Sequence, residues 1–368
     1  MHSQYANVLA EFSIDVPHAA MSRISNGHIH ETFRISPPAT DHAGYLLQKM
    51  NRQVFHDIPQ LMANLTRITG HLRKALSELD CKKRRLLFPE YRSTREGLPY
   101  YRDEEGNCWR VCQFIPHAPK ASRRTAAIEG AGRAFGAFLF YLRDLPIEQV
   151  CETLPNFHAL SPRLETFQRA VQGDPAGRLR TCRSEVEEVY RGEWARFQQF
   201  VGQSGIPWRV THNDTKIDNV LFDQTGSAIA VIDLDTVMPG LVHYDFGDAI
   251  RTCANRGAED AQDLATVEFD LARFEAFARG YLGETIDLLV EEEKSTLIDA
   301  PQLLTYLMAI RFLTDYLLGD IYYHTAFPLH NLVRTRVQLK LLNQMQSKRS
   351  QMELILRSLL KRTPGSMA

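Results

Sequence analysis

No window of the 368-residue chain approaches the run of roughly 18 apolar residues that a membrane span requires. The first twenty residues also lack a basic segment leading into an apolar core, so a soluble, cytoplasmic protein is expected. Net charge is equally scarce: 43 Lys and Arg against 44 Asp and Glu leave -1. No global field then draws nucleic acid or an anionic membrane, and ligands must be met by a locally charged site. The six cysteines, Cys81, Cys108, Cys112, Cys151, Cys182 and Cys253, contain no C-x-x-C pair. Cys108 and Cys112 fall on one predicted strand, about 13 Å apart along it, which is beyond disulfide reach. Free thiols in a reducing compartment follow. His28 and His30 have no third ligand near them and read as ordinary loop histidines. Internal repeats and low-complexity segments are absent.

What is present can build two lobes, with 44% hydrophobic and 24% charged residues. The most informative stretch runs Val210-Thr-His-Asn-Asp-Thr-Lys-Ile-Asp-Asn-Val-Leu-Phe-Asp223, followed by Ala230-Val-Ile-Asp-Leu-Asp-Thr-Val237. Apolar, β-branched runs at 219–222 and 228–232 flank Asp223-Gln-Thr-Gly226, which predicts a β-hairpin. Asp214 precedes the first strand, Asn219 stands at its start and Asp233 follows the second. Phosphoryl transfer from ATP needs groups of this kind: a carboxylate to take the hydroxyl proton, then an amide oxygen and a carboxylate to hold Mg²⁺ on the phosphates. Lys216 would supply charge to the moving phosphoryl group. Taken singly, Asp and Asn at such places also serve turns; the combination in this order is what points to a kinase.

HNDTKIDN, VIDLDTVMPG and YDFGD resemble the aminoglycoside phosphotransferase and choline kinase group of small-molecule kinases. Within it they are most similar to the N-acetylhexosamine 1-kinases, over residues 21 to 342. The resemblance implies an α+β, two-lobed, protein-kinase-like fold using ATP and Mg²⁺. It implies that Asp214 and Lys216 are catalytic, that Asn219 and Asp233 bind metal, and that His212 and Asp245 support the catalytic loop. Asp235 is a further support and a candidate to assist the metal or its waters. Asn26-Gly27-His28-Ile-His-Glu-Thr-Phe33 resembles the family's phosphate-covering loop, with His30 and Glu31 in place of the commoner Asn and Asp; Asn26, Gly27 and His28 would meet nucleotide and His30 the sugar. Arg-Phe-Leu-Thr-Asp-Tyr from Arg311, with Tyr322 beyond it, resembles the family's hexosamine contacts.

The remaining chain supplies scaffold. Residues 21–35 predict a hairpin with an Asn26-Gly27 turn. In Tyr45-Leu-Leu-Gln-Lys49, alternation puts Gln48 and Lys49 on opposite faces, so only one can face the phosphates. Leu61, Leu65, Ile68, Leu72 and Leu76 predict a helix over 58–79. Strands are expected at 98–102 and 108–115, where prolines 116 and 119 begin the connection between an N-lobe (1–115) and a C-lobe (116–368). The backbone of Gln113 to Ile115 would meet adenine. Helices are expected at 125–145, with small residues for close packing, and at 184–203, and the polar tail from Ser347 is expected to fray. Arg311 and Tyr322 share a helical face but would lie about 16 Å apart on an unbroken helix. Both reach one sugar only if Gly319 folds the chain back; otherwise Arg311 and Asp315 form a surface ion pair. The expected activity is phosphorylation of the anomeric hydroxyl of an N-acetylhexosamine, with another sugar, an amino alcohol or an aminoglycoside as the alternative acceptor. Acidic residues beyond Asp260 (Glu284, Asp287, Glu291 to Glu293) leave room for a cationic one. A monomer is favoured, with a small-molecule sugar as its partner.

Overall fold

The computed structural model describes residues 2–14, 20–24, 29–36, 43–79, 86–118, 124–192, 197 and 205–361. Asn26, Gly27 and His28, expected at the phosphate-covering turn, lie outside these, as does Cys81. The elements mix a small sheet near the N-terminus with a larger helical remainder. They divide into two compact units: Met1–Lys120, Asp144–Pro155 and Val220–Pro239 form the first, and Ala121–Arg143, Asn156–Asn219 and Gly240–Ala368 the second.

In the first unit, β1 (Ala20–Ile24), β2 (Glu31–Ser36), β3 (Tyr45–Lys49), β4 (Tyr101–Arg102) and β5 (Cys108–Gln113) make an antiparallel sheet in the order β1-β2-β3-β5-β4. The two-residue pleat sorts the sheet into unlike faces. Phe33, Ile35, Leu47, Trp109 and Val111 bury against Val8, Leu9 and Phe12, in and just after helix α1 (His2–Glu11). Thr32, Gln48 and Arg110 pair in register on the opposite face. Lys49 belongs to the α1 side, its ammonium 5.9 Å from the Trp109 ring, so Gln48 is the residue beside Arg110. Helix α2 (Ile58–Ser77) starts where the Asp57 carboxylate accepts the Gln60 N–H, with Pro59 preset for the first turn.

The same unit contains the expected hairpin, Val220–Phe222 paired with Ala228–Val231. Its turn is closed by Asp223, whose carboxylate accepts from the Thr225 and Ser227 N–H groups, while Gly226 takes φ 86°. Cys108 and Cys112, on β5, are buried free thiols. Of the strand expected at 98–102, only residues 101 and 102 pair; Leu98 is exposed and offers the sheet no apolar contact.

The second unit is built around a buried helix. α3 (Thr125–Tyr141), α4 (Leu160–Gly173), α5 (Arg183–Arg191), α6 (Val242–Cys253), α7 (Leu271–Thr285), α8 (Glu291–Thr296), α9 (Ala300–Leu318), α10 (His330–Ser347) and α11 (Arg349–Leu360) follow in order. Every residue of α9 from Ala300 to Leu317 is buried, packed by α4, α6 and α10. Two expectations change here. The helix begun at Thr125 stops at Tyr141. Of the helix expected over 184–203, Arg183–Arg191 forms α5 and Gly192 lies against the Tyr306 ring, while 193–196 and 198–203 lie outside the described residues. The tail does not fray at Ser347. Arg349–Leu360 forms α11, which buries Met352, Leu356 and Leu359, a 4-3 spacing hidden among polar residues.

α3 crosses α7 at glycines. A Cβ on Gly280 would run into the Glu129 carbonyl and stand 2.8 Å from the Arg133 nitrogen, whereas one on Gly70 of α2 would meet nothing within 4 Å. Gly280→Ala should therefore lose about 1–3 kcal/mol to overpacking, and Gly70→Ala should gain about 0.5–1 kcal/mol of helix propensity. Urea unfolding midpoints that shift in opposite directions would bear this out; equal shifts would contradict the close crossing.

Candidate active site

The residues after Thr211 cannot form regular structure, because Asn213 takes a left-handed conformation (φ 63°), tolerable for Asn. Three successive N–H groups are thereby exposed and need acceptors. Asp245, in the first turn of α6, meets two of them: its carboxylate accepts from His212 N–H (3.0 Å) and Asn213 N–H (2.7 Å). Its carbonyl accepts the Thr215 hydroxyl at 2.5 Å. His212 is fully buried with its ring edge-on to Phe135 and Phe138, and its Nδ1 accepts the Asp214 N–H at 3.3 Å. The loop's outer side is held by His158, whose Nε2 donates to the Asn213 carbonyl (2.8 Å). Burial pushes the His158 pKa down to about 3, so the ring is neutral, and burial raises the Asp245 carboxyl to about 6.

So held, Asp214 is half-buried and faces a cation and an amide. Lys216 Nζ lies 2.8 Å from its Oδ2, and Asn219 Nδ2 donates to its carbonyl (2.8 Å) and its Oδ2 (3.0 Å). Burial opposes ionisation here, but Lys216 outweighs it and keeps the carboxyl below its ordinary value. Both partners of Asn219 are acceptors, so its amide nitrogen must point to them and Oδ1 points elsewhere. That oxygen and the half-buried carboxylate of Asp233 are each hard donors of the kind that suits Mg²⁺. Asp233 belongs to the first unit, at a left-handed turn (φ 61°) between the hairpin and the short helical turn Leu234–Thr236.

Two residues on, Asp235 is committed elsewhere. Arg110 grips it with both terminal nitrogens (2.5 and 2.8 Å), and His30 Nε2 lies 2.7 Å from Oδ2. Gln48 accepts from Arg110 Nε (2.9 Å) and donates to Thr32. Asp235 thus has both oxygens engaged, Oδ2 by two partners and Oδ1 by one. The sugar contact expected of His30 is revised for the same reason: its Nδ1 accepts the Asn51 N–H (3.0 Å), so both ring nitrogens are used. Arg110 carries no local signal in the sequence: it is an arginine on an apolar strand whose partner lies 125 residues away. At the expected adenine contacts, the Gln113 N–H is donated to Glu90 and the Ile115 carbonyl meets His117 Nδ1 at 2.7 Å.

The second unit brings Arg311 and Tyr322 together. Gly319 ends α9 in a left-handed conformation (φ 98°) and the chain reverses. Asp315 fixes the reversal: it accepts the N–H groups of Ile321 (3.0 Å), Tyr322 (2.8 Å) and Tyr323 (2.9 Å) and the Asn331 amide (2.8 Å). The Arg311–Asp315 surface pair is therefore absent, and both residues are buried. The Arg311 guanidinium lies instead among the rings of Phe157 (5.1 Å), Tyr323 (5.6 Å) and Tyr322 (5.9 Å), and it forms no ion pair among the described residues. Phe157 adjoins His158, and so connects this cluster to the catalytic loop.

Arg110→Met should cost about 3–5 kcal/mol by stranding a buried carboxylate, and Arg110→Met with Asp235→Leu should recover most of it. Arg110 and His30 overcome burial to hold Asp235 well below its ordinary pKa of 3.8. Its stabilising contribution is therefore complete above that value and is lost as pH falls below it. Urea titrations between pH 3 and 7 should show an acid limb in the wild type that flattens in the double variant; an unchanged limb would contradict the network.

The model of the phosphotransferase enzyme family (APH) matches residues 21–278. Among solved structures, the chain is similar to a microcompartment-associated aminopropanol kinase (15% identity, TM-score 0.59, covering 97% of this chain and 100% of that one). It is also similar to an aminoglycoside phosphotransferase from Alicyclobacillus acidocaldarius (16%, 0.58, 95% and 96%). A choline kinase from Cryptosporidium parvum is a further match (13%, 0.55, 98% and 100%). At these identities the likeness establishes a shared protein-kinase-like fold. The family match, which spans well over half the chain, establishes more: this protein belongs to the APH phosphotransferase enzyme family of small-molecule kinases.

Proposed function

We propose that the protein transfers the γ-phosphoryl group of ATP to the anomeric hydroxyl of an N-acetylhexosamine. Asp214 would orient that hydroxyl and accept its proton. Its depressed pKa makes it a weak base, which suits a loose transition state in which positioning and charge stabilisation matter more than basicity. Lys216, already on the Asp214 carboxylate, would neutralise charge on the transferring group. Asn219 and Asp233 are the residues to hold Mg²⁺, which when bound would offset the phosphate charge.

The observation that carries the choice of acceptor is Arg311, a buried cation surrounded by aromatic rings and, among the described residues, not matched by a carboxylate. A ring oxygen, hydroxyl or acyl oxygen would satisfy it, and aromatic faces suit a pyranose. Aminopropanol and choline, after which two of the similar proteins are called, carry positive charge and want carboxylates. Within the acidic stretch beyond Asp260, Glu293 is buried on Arg209 (2.7 Å) and Glu291 pairs with Lys294 (2.9 Å).

ADP release assayed over a panel of sugars, amino alcohols and aminoglycosides tests the reading. N-acetylhexosamines should give the highest kcat/KM. Asp214→Asn should lower kcat by about 10² to 10⁴ with ATP affinity retained. Arg311→Ala should raise the sugar KM roughly ten- to a hundredfold and leave the ATP KM alone. Preference for an ammonium-bearing acceptor, or Asp214→Asn activity above a tenth of wild type, would contradict it.

A further inference from the structure

Asp233 stands on a short length of chain that is gripped on both sides. Before it, the Val231 N–H donates to the Leu87 carbonyl (3.2 Å) and the Leu87 N–H returns to the Ile229 carbonyl (2.7 Å). After it, the Asp235 carboxylate is anchored on Arg110 and His30, and the Asp235 carbonyl accepts the Thr153 hydroxyl at 3.3 Å. The Val237 N–H, donated to the Leu234 carbonyl (3.0 Å), closes the helical turn that carries Asp235. All of these residues belong to the first unit.

The grip has something to oppose. Asp233 is left-handed (φ 61°, ψ 57°), which costs a residue with a Cβ roughly 1 kcal/mol or more. Its carboxylate makes no capping hydrogen bond to the turn that follows, so the turn depends on the anchors to either side. Of these, His30 is the one brought from β2. Its Nδ1 accepts the Asn51 N–H (3.0 Å), so the ring hydrogen sits on Nε2 and is donated to Asp235 Oδ2 (2.7 Å). Arg110 holds the same carboxylate from β5. A turn attached to two strands resists tilting as well as withdrawal. Both His30 and Asp235 are buried, so water does not compete for the bond.

We propose that His30 is a positioning residue for the metal carboxylate: by donating to Asp235 it fixes the turn that aims Asp233. The proposal rests on the reading that Asp233 holds Mg²⁺ and extends it to how this chain keeps that carboxylate in place. Partners that orient a metal ligand directly account for about 10- to 100-fold in metal affinity. His30 acts through two residues of backbone, and an effect of about three- to tenfold is expected of it.

The test compares two amides. In His30→Asn the side-chain oxygen can still accept the Asn51 N–H, but no donor reaches Asp235. In His30→Gln a donor reaches Asp235 and the acceptor for Asn51 is given up. Calorimetry with Mg·ATP, and with ATP in the presence of a chelator, gives for each protein the factor by which Mg²⁺ strengthens nucleotide binding. His30→Asn should lower that factor about three- to tenfold, and His30→Gln should stay within about twofold of wild type. Each variant loses one of the two bonds of the ring, so both should melt below wild type, and a merely structural role predicts that the factor follows the melting temperature. Arg110→Lys, which keeps the charge but gives up the two-pronged grip, supplies the same comparison from β5 if a His30 variant does not fold, and should also lower the factor. A factor unchanged in His30→Asn and Arg110→Lys, or lowered equally in both His30 variants, would overturn the proposal and leave the metal site standing. Asp233→Ala should lower the factor more than any of them; if it equals wild type, the metal reading fails and the proposal with it.

Discussion

The buried carboxylate of Asp245 is the constraint from which the catalytic loop takes its shape. Its two oxygens receive the His212 and Asn213 N–H groups, and without them a left-handed residue and two orphaned donors would have to be buried together. The arrangement has an electrostatic cost, visible in a carboxyl raised to about 6. Between its ordinary value of 3.8 and that higher value the folded protein binds the proton more tightly than the unfolded chain. This group's contribution to stability therefore declines as pH rises through that window. The protein accepts the cost because the same bonds aim Asp214 and set Asn219 beside it.

Arginine is used in two opposite ways. Arg110, Arg209 and Arg251 are buried or half-buried and fully matched, to Asp235, to Glu293 and to Asp248 with Glu259. They hold turns and helix ends in place, and removing either partner would strand a charge. Arg311 is buried as well, yet carries no carboxylate among the described residues. Matched cations are structural; unmatched ones beside aromatic rings are what a ligand completes. This division separates the scaffold from the proposed acceptor site without any appeal to relatives.

Much of this was legible in the sequence because the relevant interactions are local. The 220–231 hairpin follows from β-branched runs around a turn tetrapeptide, α2 from its 3-4 spacing and Asp57 cap, and the chain reversal after α9 from Gly319. The features that escaped are non-local or diluted. Arg110 looks like a misplaced charge on a strand until Asp235, 125 residues later, folds onto it. The engagement of His30 by the same carboxylate spans 205 residues. α1 and α11 hide three or four apolar residues each among polar ones, and their buried faces become evident only with the sheet and α7 to receive them. Asp315 read as an ion-pair partner because its true partners are backbone N–H groups, which no side-chain pattern reveals.

The acceptor oxygen proposed for this protein is the anomeric one of an N-acetylated sugar. Phosphorus NMR of the product formed from ATP, Mg²⁺ and N-acetylglucosamine tests it most directly. A new phosphomonoester resonance coupled to the anomeric proton, absent with Asp214→Asn, is expected. A resonance coupled instead to the protons at carbon 6, or ADP release with no new sugar phosphate, would contradict it.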